Sequence, residues 1–130
     1  MKISMEKVLD LKALYETICK QSMPIKLSYK FSKLYTPILS EADFFSKEMN
    51  KIVDEYAEKD ESGRIQPTQD GKGVQIKSGC MQKVQEKITE LNEIEVDVGD
   101  IQFTLEELSG LELSLEQVNL LMPFINETIG

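Results

Sequence analysis

The residues that could do chemistry in this chain are mostly carboxylates. Its 130 residues include 23 Asp and Glu, 15 Lys and Arg, and no His. Histidine is the commonest general base, the usual activator of Ser or Cys nucleophiles, and the commonest metal ligand. Its absence argues against most hydrolytic mechanisms. An enzyme that uses carboxylates or a metal is a remote alternative, and we expect no catalysis and no cofactor.

The best metal-ligand candidates are Glu95, Asp97 and Asp100, at the end of a predicted strand. Their spacing lacks the D-x-D-x-D-G order and the terminal Glu of a calcium loop. We interpret them as a solvated acidic edge, because edge strands use charge to block unwanted pairing. Gly71-Lys72-Gly73 likewise matches neither phosphate-loop pattern and is typical of a tight turn.

A stripe of lysines is the main basic feature. Lys26, Lys30 and Lys33 follow the i, i+4, i+7 spacing of one helical face. The stripe is either a solvated face or a small contact site for an anionic surface of a partner. Tyr29 beside it is either an aromatic anchor of the kind that interfaces favour or a core residue.

The opposite charge gathers at the other end of the sequence. Residues 1–39 carry seven Lys against three acids, whereas residues 86–130 carry one Lys against eleven acids. The formal net charge of -8 and the pI near 4.6 argue against direct nucleic-acid binding. A dense acidic field would steer association with a basic protein surface. The candidate contact residues are Glu106, Glu107, Glu112 and Glu116.

A long apolar seam must position the lysine stripe. It repeats at helical spacing for about four heptads, through Leu27, Phe31, Leu34, Ile38, Phe45, Met49, Ile52 and Tyr56. Pro37 interrupts the seam, and we expect two helical pieces, 24–36 and 40–58, because proline removes a backbone donor. A first helix is expected over 6–20, packed on the N-terminal half of the seam. The seam is buried within the chain or partly by a second copy, so a homodimer is possible.

A second group of elements follows. Residues 79–92 predict a helix that packs antiparallel on residues 45–56 as a helical hairpin. Residues 60–79 between them form either a small β-hairpin around Asp70-Gly71 or a mobile loop.

The C-terminal third changes periodicity. Alternation predicts two short strands, 93–98 and 101–104, or one bent strand, in one small sheet with residues 2–5. Capping-box patterns predict a helical turn at 105–109 and a last helix at 115–125, with Pro123 bending or ending it. The apolar block LLMPFI, residues 120–125, either closes a core or forms a docking patch.

These elements together indicate one α+β domain, 1–130, mostly α: a long kinked helix and an antiparallel helical hairpin with a small β-sheet. No apolar run approaches the length of a membrane span, and no signal peptide is evident, which predicts no membrane contact and a cytoplasmic location. Cys19 and Cys80 match no metal spacing, and we expect reduced thiols, at least one of them in a core.

Four stretches of the chain carry a resemblance that spans nearly all of it in order. They are MPIKLSYK at 23–30, EYAEKDESG at 55–63, LNEIEVDV at 91–98, and LEEL with LSLE at 105–108 and 113–116. In these the chain resembles an uncharacterised family of small proteins encoded by bacteriophages of Gram-positive bacteria. The resemblance implies a phage or prophage product in the cytoplasm of the bacterial host. It supplies no reaction and no functional residues.

The leading functional hypothesis is a non-catalytic accessory protein that binds a host or anti-phage defence protein through its acidic C-terminal third, and so modulates or inhibits it. The alternative is a virion assembly factor, such as a tail chaperone, that holds a phage structural protein through an apolar groove near the helical hairpin.

Overall fold

The structure is a computed structural model that describes residues 1–126. Its elements are β1 (Lys2–Ser4), α1 (Met5–Ile18), α2 (Ile25–Tyr56), α3 (Met81–Asn92), β2 (Glu95–Asp97), α4 (Leu105–Leu108), α5 (Leu115–Leu121) and a 3-10 turn (Met122–Phe124). The α+β class, dominated by helix, is as predicted. No helix in the described part of the chain is both long and apolar enough to cross a membrane. Residues form two compact units, one of 1–42 with the chain from 95 onward, the other of 43–94.

The long helix α2 corrects the expectation of two helical pieces. It runs unbroken from Ile25 to Tyr56 with Pro37 inside it. A single proline costs a helix about 3 kcal/mol, whereas the seam buries Leu34 and Ile38 completely on either side of that proline. Each such side chain contributes about 1.5–3 kcal/mol, which is enough to keep the helix continuous.

In the first unit, α1 packs on the N-terminal half of α2, as predicted. The Tyr35 hydroxyl donates a hydrogen bond of 2.8 Å to the Leu11 carbonyl, and the rings of Tyr15 and Tyr35 lie 4.9 Å apart. Phe31 stacks on Phe103 at a centroid distance of 4.5 Å. The core of this unit therefore joins the two helices to the C-terminal segment.

The sheet has two strands, not three. β1 and β2 pair antiparallel with Ile3 opposite Val96. The expected strand at 101–104 is wrong, because Gly99, with φ of 81°, turns the chain away from β2. Phe103 instead forms one isolated parallel bridge with Ile125.

The last described residues of the chain complete the core of the first unit. Leu121 and Phe124 are fully buried, whereas Met122 between them is exposed. The α-helix ends at Leu121 and Pro123 lies in the 3-10 turn, as its position predicted. Leu121 and Phe124 of the LLMPFI block thus close a core, the first of the two alternatives for this block.

In the second unit, residues 43–56 of α2 and the helix α3 form the predicted hairpin around a small apolar cluster. The cluster contains Ile52, Val84 and Leu91, with partly buried Phe45, Met49, Tyr56, Ile76 and Ile88 around it. Residues 57–77 join the helices as a β-hairpin with further bridges, the first of the two alternatives for this segment. Pro67 pairs with Val74, Lys59 with Ile65, and Ala57 with Ile76.

The two thiols are free, as expected, but neither is in a core. Cys19 is exposed, and Cys80 is half-buried at the residue before α3. The expectation of a core cysteine is wrong because each cysteine lies at the end of a helix, Cys19 after α1 and Cys80 before α3. Other apolar residues form the buried faces of α1 and α3.

Candidate functional site

The helices α4 and α5 are built on one repeated six-residue pattern. Residues 103–108 read FTLEEL, and residues 113–118 read LSLEQV. The Thr104 hydroxyl accepts a hydrogen bond from the Glu107 amide at 3.1 Å, and the Glu107 carboxylate accepts one from the Thr104 amide at 2.9 Å. Ser114 and Gln117 repeat this reciprocal arrangement at 3.2 and 2.9 Å. Because helices this short do not persist by length alone, the capping boxes set where they begin.

An apolar groove lies at these two helices and encloses about 200 Å³. We call it the C-terminal groove. It is lined by Leu105, Leu108, Ser109, Leu111, Leu113, Val118 and Ile125. Leu105, which lines the groove, is 59% exposed. Leu115 holds the same position of the second repeat, is not one of the lining residues, and is 79% exposed. Neighbouring apolar side chains with this exposure are typical of a contact surface for another molecule.

Three of the predicted acidic residues are sequence neighbours of apolar residues in α4, in α5 and in the loop between them. Glu106 and Glu116 occupy the second helical position of the two repeats, next to Leu105 and Leu115. Both are exposed, and so is Glu112. Glu112 stands between two lining residues of the groove. None of these glutamates forms an ion pair with another residue of the described chain, so their charges face solvent.

Glu107, the fourth predicted acidic residue, is placed differently. Its carboxylate lies 2.8 Å from the Lys30 ammonium and is 28% exposed. The hydrogen bond from Lys30, together with that from the Thr104 amide, lowers the pKa of Glu107. Lys30 also donates to the Gln102 carbonyl at 3.0 Å. Both groups therefore tie α4 to α2 within the first unit.

The other two predicted lysines stay at the surface in a second apolar depression. Lys26 and Lys33 are exposed, and the Lys33 ammonium lies 5.0 Å from the centre of the Tyr29 ring. Tyr29 is 60% exposed and Ile25 is 87% exposed. With Lys30 and Ile101 these residues line one depression, which we call the basic patch. The structure thus favours a surface position for Tyr29 over the core alternative.

Sequence reasoning singled out Tyr29 and the block that contains Ile125, but not the other apolar residues of the two surfaces. Ile25 and Tyr29 are four residues apart and lie off the seam of α2, which is a visible signal of a second apolar stripe. Leu105 and Leu115 occupy equivalent places in the repeat, which is a second signal. Neither reveals the groove, because its lining comes from segments whose approach depends on tertiary packing.

The acidic strand edge contains no metal-binding arrangement among residues 1–126: no three metal-ligating side chains come together there or elsewhere in that range. Asp97 and Asp100 lie 3.6 and 3.1 Å from the Met1 amino group. The Asp97 carboxylate also accepts a hydrogen bond from the Gly99 amide, the main cause of its lowered pKa. The Gly71-Lys72-Gly73 stretch is a turn, in which the Lys72 amide donates to Asp70.

Comparisons of the chain with models of protein families, with curated proteins and with solved structures find no match.

Proposed function

We propose that this protein acts by binding another protein, without catalysis of its own, and that the C-terminal groove is the contact surface. The observation that carries the proposal is the combination of an accessible apolar groove with three solvent-facing glutamates along its lining segments. Apolar surface supplies the free energy of association, while charges of one sign raise the association rate and select the partner.

The partner surface that fits this groove is apolar and basic. A partner segment with one or two aliphatic or aromatic side chains would fill the groove, and flanking Lys or Arg would face Glu106, Glu112 and Glu116. An amphipathic helix with a basic rim has this chemistry. Glu107 contributes indirectly, since its pairing with Lys30 holds α4 in place.

The setting we propose follows from the resemblance to small bacteriophage proteins. In the cytoplasm of a bacterial host, such a protein would modulate or inhibit a host or anti-phage defence protein by covering a basic surface of it. This setting is a proposal on the resemblance alone, whereas the binding surface is argued from the groove.

A virion assembly role is the second candidate, and one observation favours it. In the second unit, the surface between α2 and α3 holds a cleft of about 430 Å³ with Ile52, Leu91 and Ile94 along it. Lysines and glutamates both line its rim, so a partner held there would depend on apolar burial more than on net charge. A tail or capsid protein with an exposed apolar helix is the kind of partner that this cleft would hold.

Affinity capture of the tagged protein from infected or prophage-induced cells, at low and high salt, tests these alternatives. We expect a host protein that is released by high salt, because salt screens contacts between exposed charges. A phage structural protein that stays bound at high salt would overturn the inhibitor proposal in favour of assembly.

A further inference from the structure

We propose that two copies of this chain associate through their first units, with the basic patch of each copy against the C-terminal groove of the other. The occupant of both surfaces is then a second molecule of the same protein. The inference does not rest on the proposed partner, because it concerns the purified chain alone.

The basic patch has the features of an interface rather than of a solvated helix face. Ile25 and Tyr29 project side by side from the first turns of α2, and the intramolecular core of the unit leaves both largely exposed. The lysine stems extend the apolar surface between them, while the ammonium groups of Lys26 and Lys33 remain in solvent. Neighbouring large apolar side chains with this exposure mark a contact surface.

The basic patch and the C-terminal groove complement each other in charge, and both offer accessible apolar side chains. The patch offers Ile25, Tyr29 and positive charge, whereas the groove offers an apolar lining and negative charge. Apart from Lys30, which pairs with Glu107, no lysine of the patch forms an ion pair within the described chain. The unpaired cations and the solvent-facing glutamates would compensate each other across the interface.

The adjacency of the two surfaces selects a two-fold dimer. Lys30 lines the basic patch, and its ion-pair partner Glu107 lies on α4, which supplies Leu105 and Leu108 to the groove. A positive and a negative surface that share a border are self-complementary under two-fold rotation, since each copy presents what the other needs. The contact then forms twice per dimer, with the two Lys30–Glu107 pairs near the axis.

A consequence for function is competition. The groove cannot hold both a second copy and a basic partner, so partner binding would separate the dimer. Small, charge-dependent interfaces are weak and reversible, and the dimer is expected to dissociate on dilution.

Sedimentation velocity of the purified chain, at concentrations up to about 1 mM, tests the dimer. It is run in about 0.1 M and about 1 M salt, between which the Debye length falls from about 10 to about 3 Å. We expect a monomer–dimer equilibrium in the lower salt whose dissociation constant rises at least about tenfold in the higher salt. A chain that stays monomeric at every concentration, or that grows into larger species, would overturn the proposal.

A charge exchange between the two surfaces makes the test specific. Lys26→Glu with Lys33→Glu gives one double variant, and Glu106→Lys with Glu116→Lys gives the other. Each alone is expected to be monomeric, and an equimolar mixture of the two is expected to dimerise, which also shows that both are folded. The matched control, Lys72→Glu with Lys83→Glu in the second unit, should dimerise like the natural chain. If the mixture stays monomeric while the natural chain dimerises, the pairing proposed here is wrong.

Discussion

Within the described part of the chain, Lys30–Glu107 is the one ion pair between the predicted basic and acidic residues. Glu107→Gln keeps an acceptor for the Thr104 amide, as Gln117 does for Ser114 in the second repeat, and removes only the charge. We expect a loss of about 0.5–1 kcal/mol in the free energy of unfolding, measured by urea denaturation. Glu107→Ala also removes the capping bond and should cost about 1 kcal/mol more. Equal losses for the two variants would contradict this division.

The same pair gives stability that depends on pH. Lys30 lowers the pKa of Glu107 in the folded state below its ordinary value near 4.5, so the folded protein favours the ionised form. The contribution is complete above that ordinary value and is lost as pH falls through the lowered pKa. The stability difference between the natural chain and Glu107→Gln should therefore vanish in strongly acidic buffer. A difference that persists there would show that the charge is not its cause.

Tyr35 is a buried titratable group of the first unit. Burial raises its pKa above the ordinary value of 10, and its hydroxyl donates to the Leu11 carbonyl. Because the folded state favours the neutral phenol, this stabilisation is present below pH 10 and is lost as pH rises above it. In an alkaline absorbance titration of the chain's four tyrosines, one phenol should ionise only as the protein unfolds. Tyr35→Phe should remove that step and cost about 1 kcal/mol; four phenols ionising together in the natural chain would contradict the assignment.

At the scale of elements, the hairpin at 57–77 depends on glycine turns. Gly71 has φ of 72°, a conformation that side chains with a Cβ disfavour, although an added Cβ there would meet no atom within 4 Å. Gly71→Ala should therefore destabilise the chain by about 1 kcal/mol through backbone strain alone. Gly110 has equally open surroundings without a positive φ, and Gly110→Ala is the matched control, expected to be neutral or slightly stabilising. Equal thermal unfolding temperatures for the two variants would refute the strain argument.

Elements with strong local signals could be predicted from the sequence, and those decided by competition between signals could not. The capping boxes of Thr104 and Ser114 carry their whole geometry in four residues, so α4 and α5 begin where predicted. The continuity of α2 at Pro37 could not be predicted, because the local penalty of proline competes with the burial of neighbouring seam residues, which depends on tertiary packing. The strand expected at 101–104 failed because alternation does not record the turn at Gly99 that removes its pairing partner.

Some features of the candidate site likewise follow from local sequence, whereas others depend on tertiary packing. The exposure of Glu106 and Glu116 follows from their positions on short capped helices, and that of Glu112 from the loop between them. The pairing of Lys30 with Glu107 joins residues 77 positions apart, and the distribution of charge along the sequence does not indicate which residues meet. The C-terminal groove could not be predicted from the sequence, because the seven residues that line it come from several segments whose packing is tertiary.

At the scale of the whole molecule, charge is divided between two surfaces of opposite sign: the acidic groove serves both the partner and the dimer, whereas the basic patch serves the dimer alone. The formal charge of -8 repels copies of the chain at long range, whereas the basic patch offers one place where that repulsion is locally reversed. Salt should therefore act in opposite directions on two observables. Salt should weaken the specific dimer of the natural chain. It should also screen the general repulsion between copies, so that nonspecific association rises with salt. Light scattering on the Lys26→Glu, Lys33→Glu double variant measures the second effect. A nonspecific association that decreases with salt in that variant would contradict the distinction between specific and general electrostatic effects.

The most direct test of the central claim, that the C-terminal groove binds a protein partner, is a quantitative capture with two charge-matched variants. Glu106→Lys with Glu116→Lys alters the rim of the groove, and Glu61→Lys with Glu86→Lys changes the net charge equally in the second unit, at exposed positions. The two variants are first shown to have the same thermal unfolding temperature as the natural chain. We expect the natural chain and the second-unit variant to retain the same salt-sensitive protein, and the groove variant to lose at least about nine-tenths of it. Equal retention by all three baits would contradict the claim.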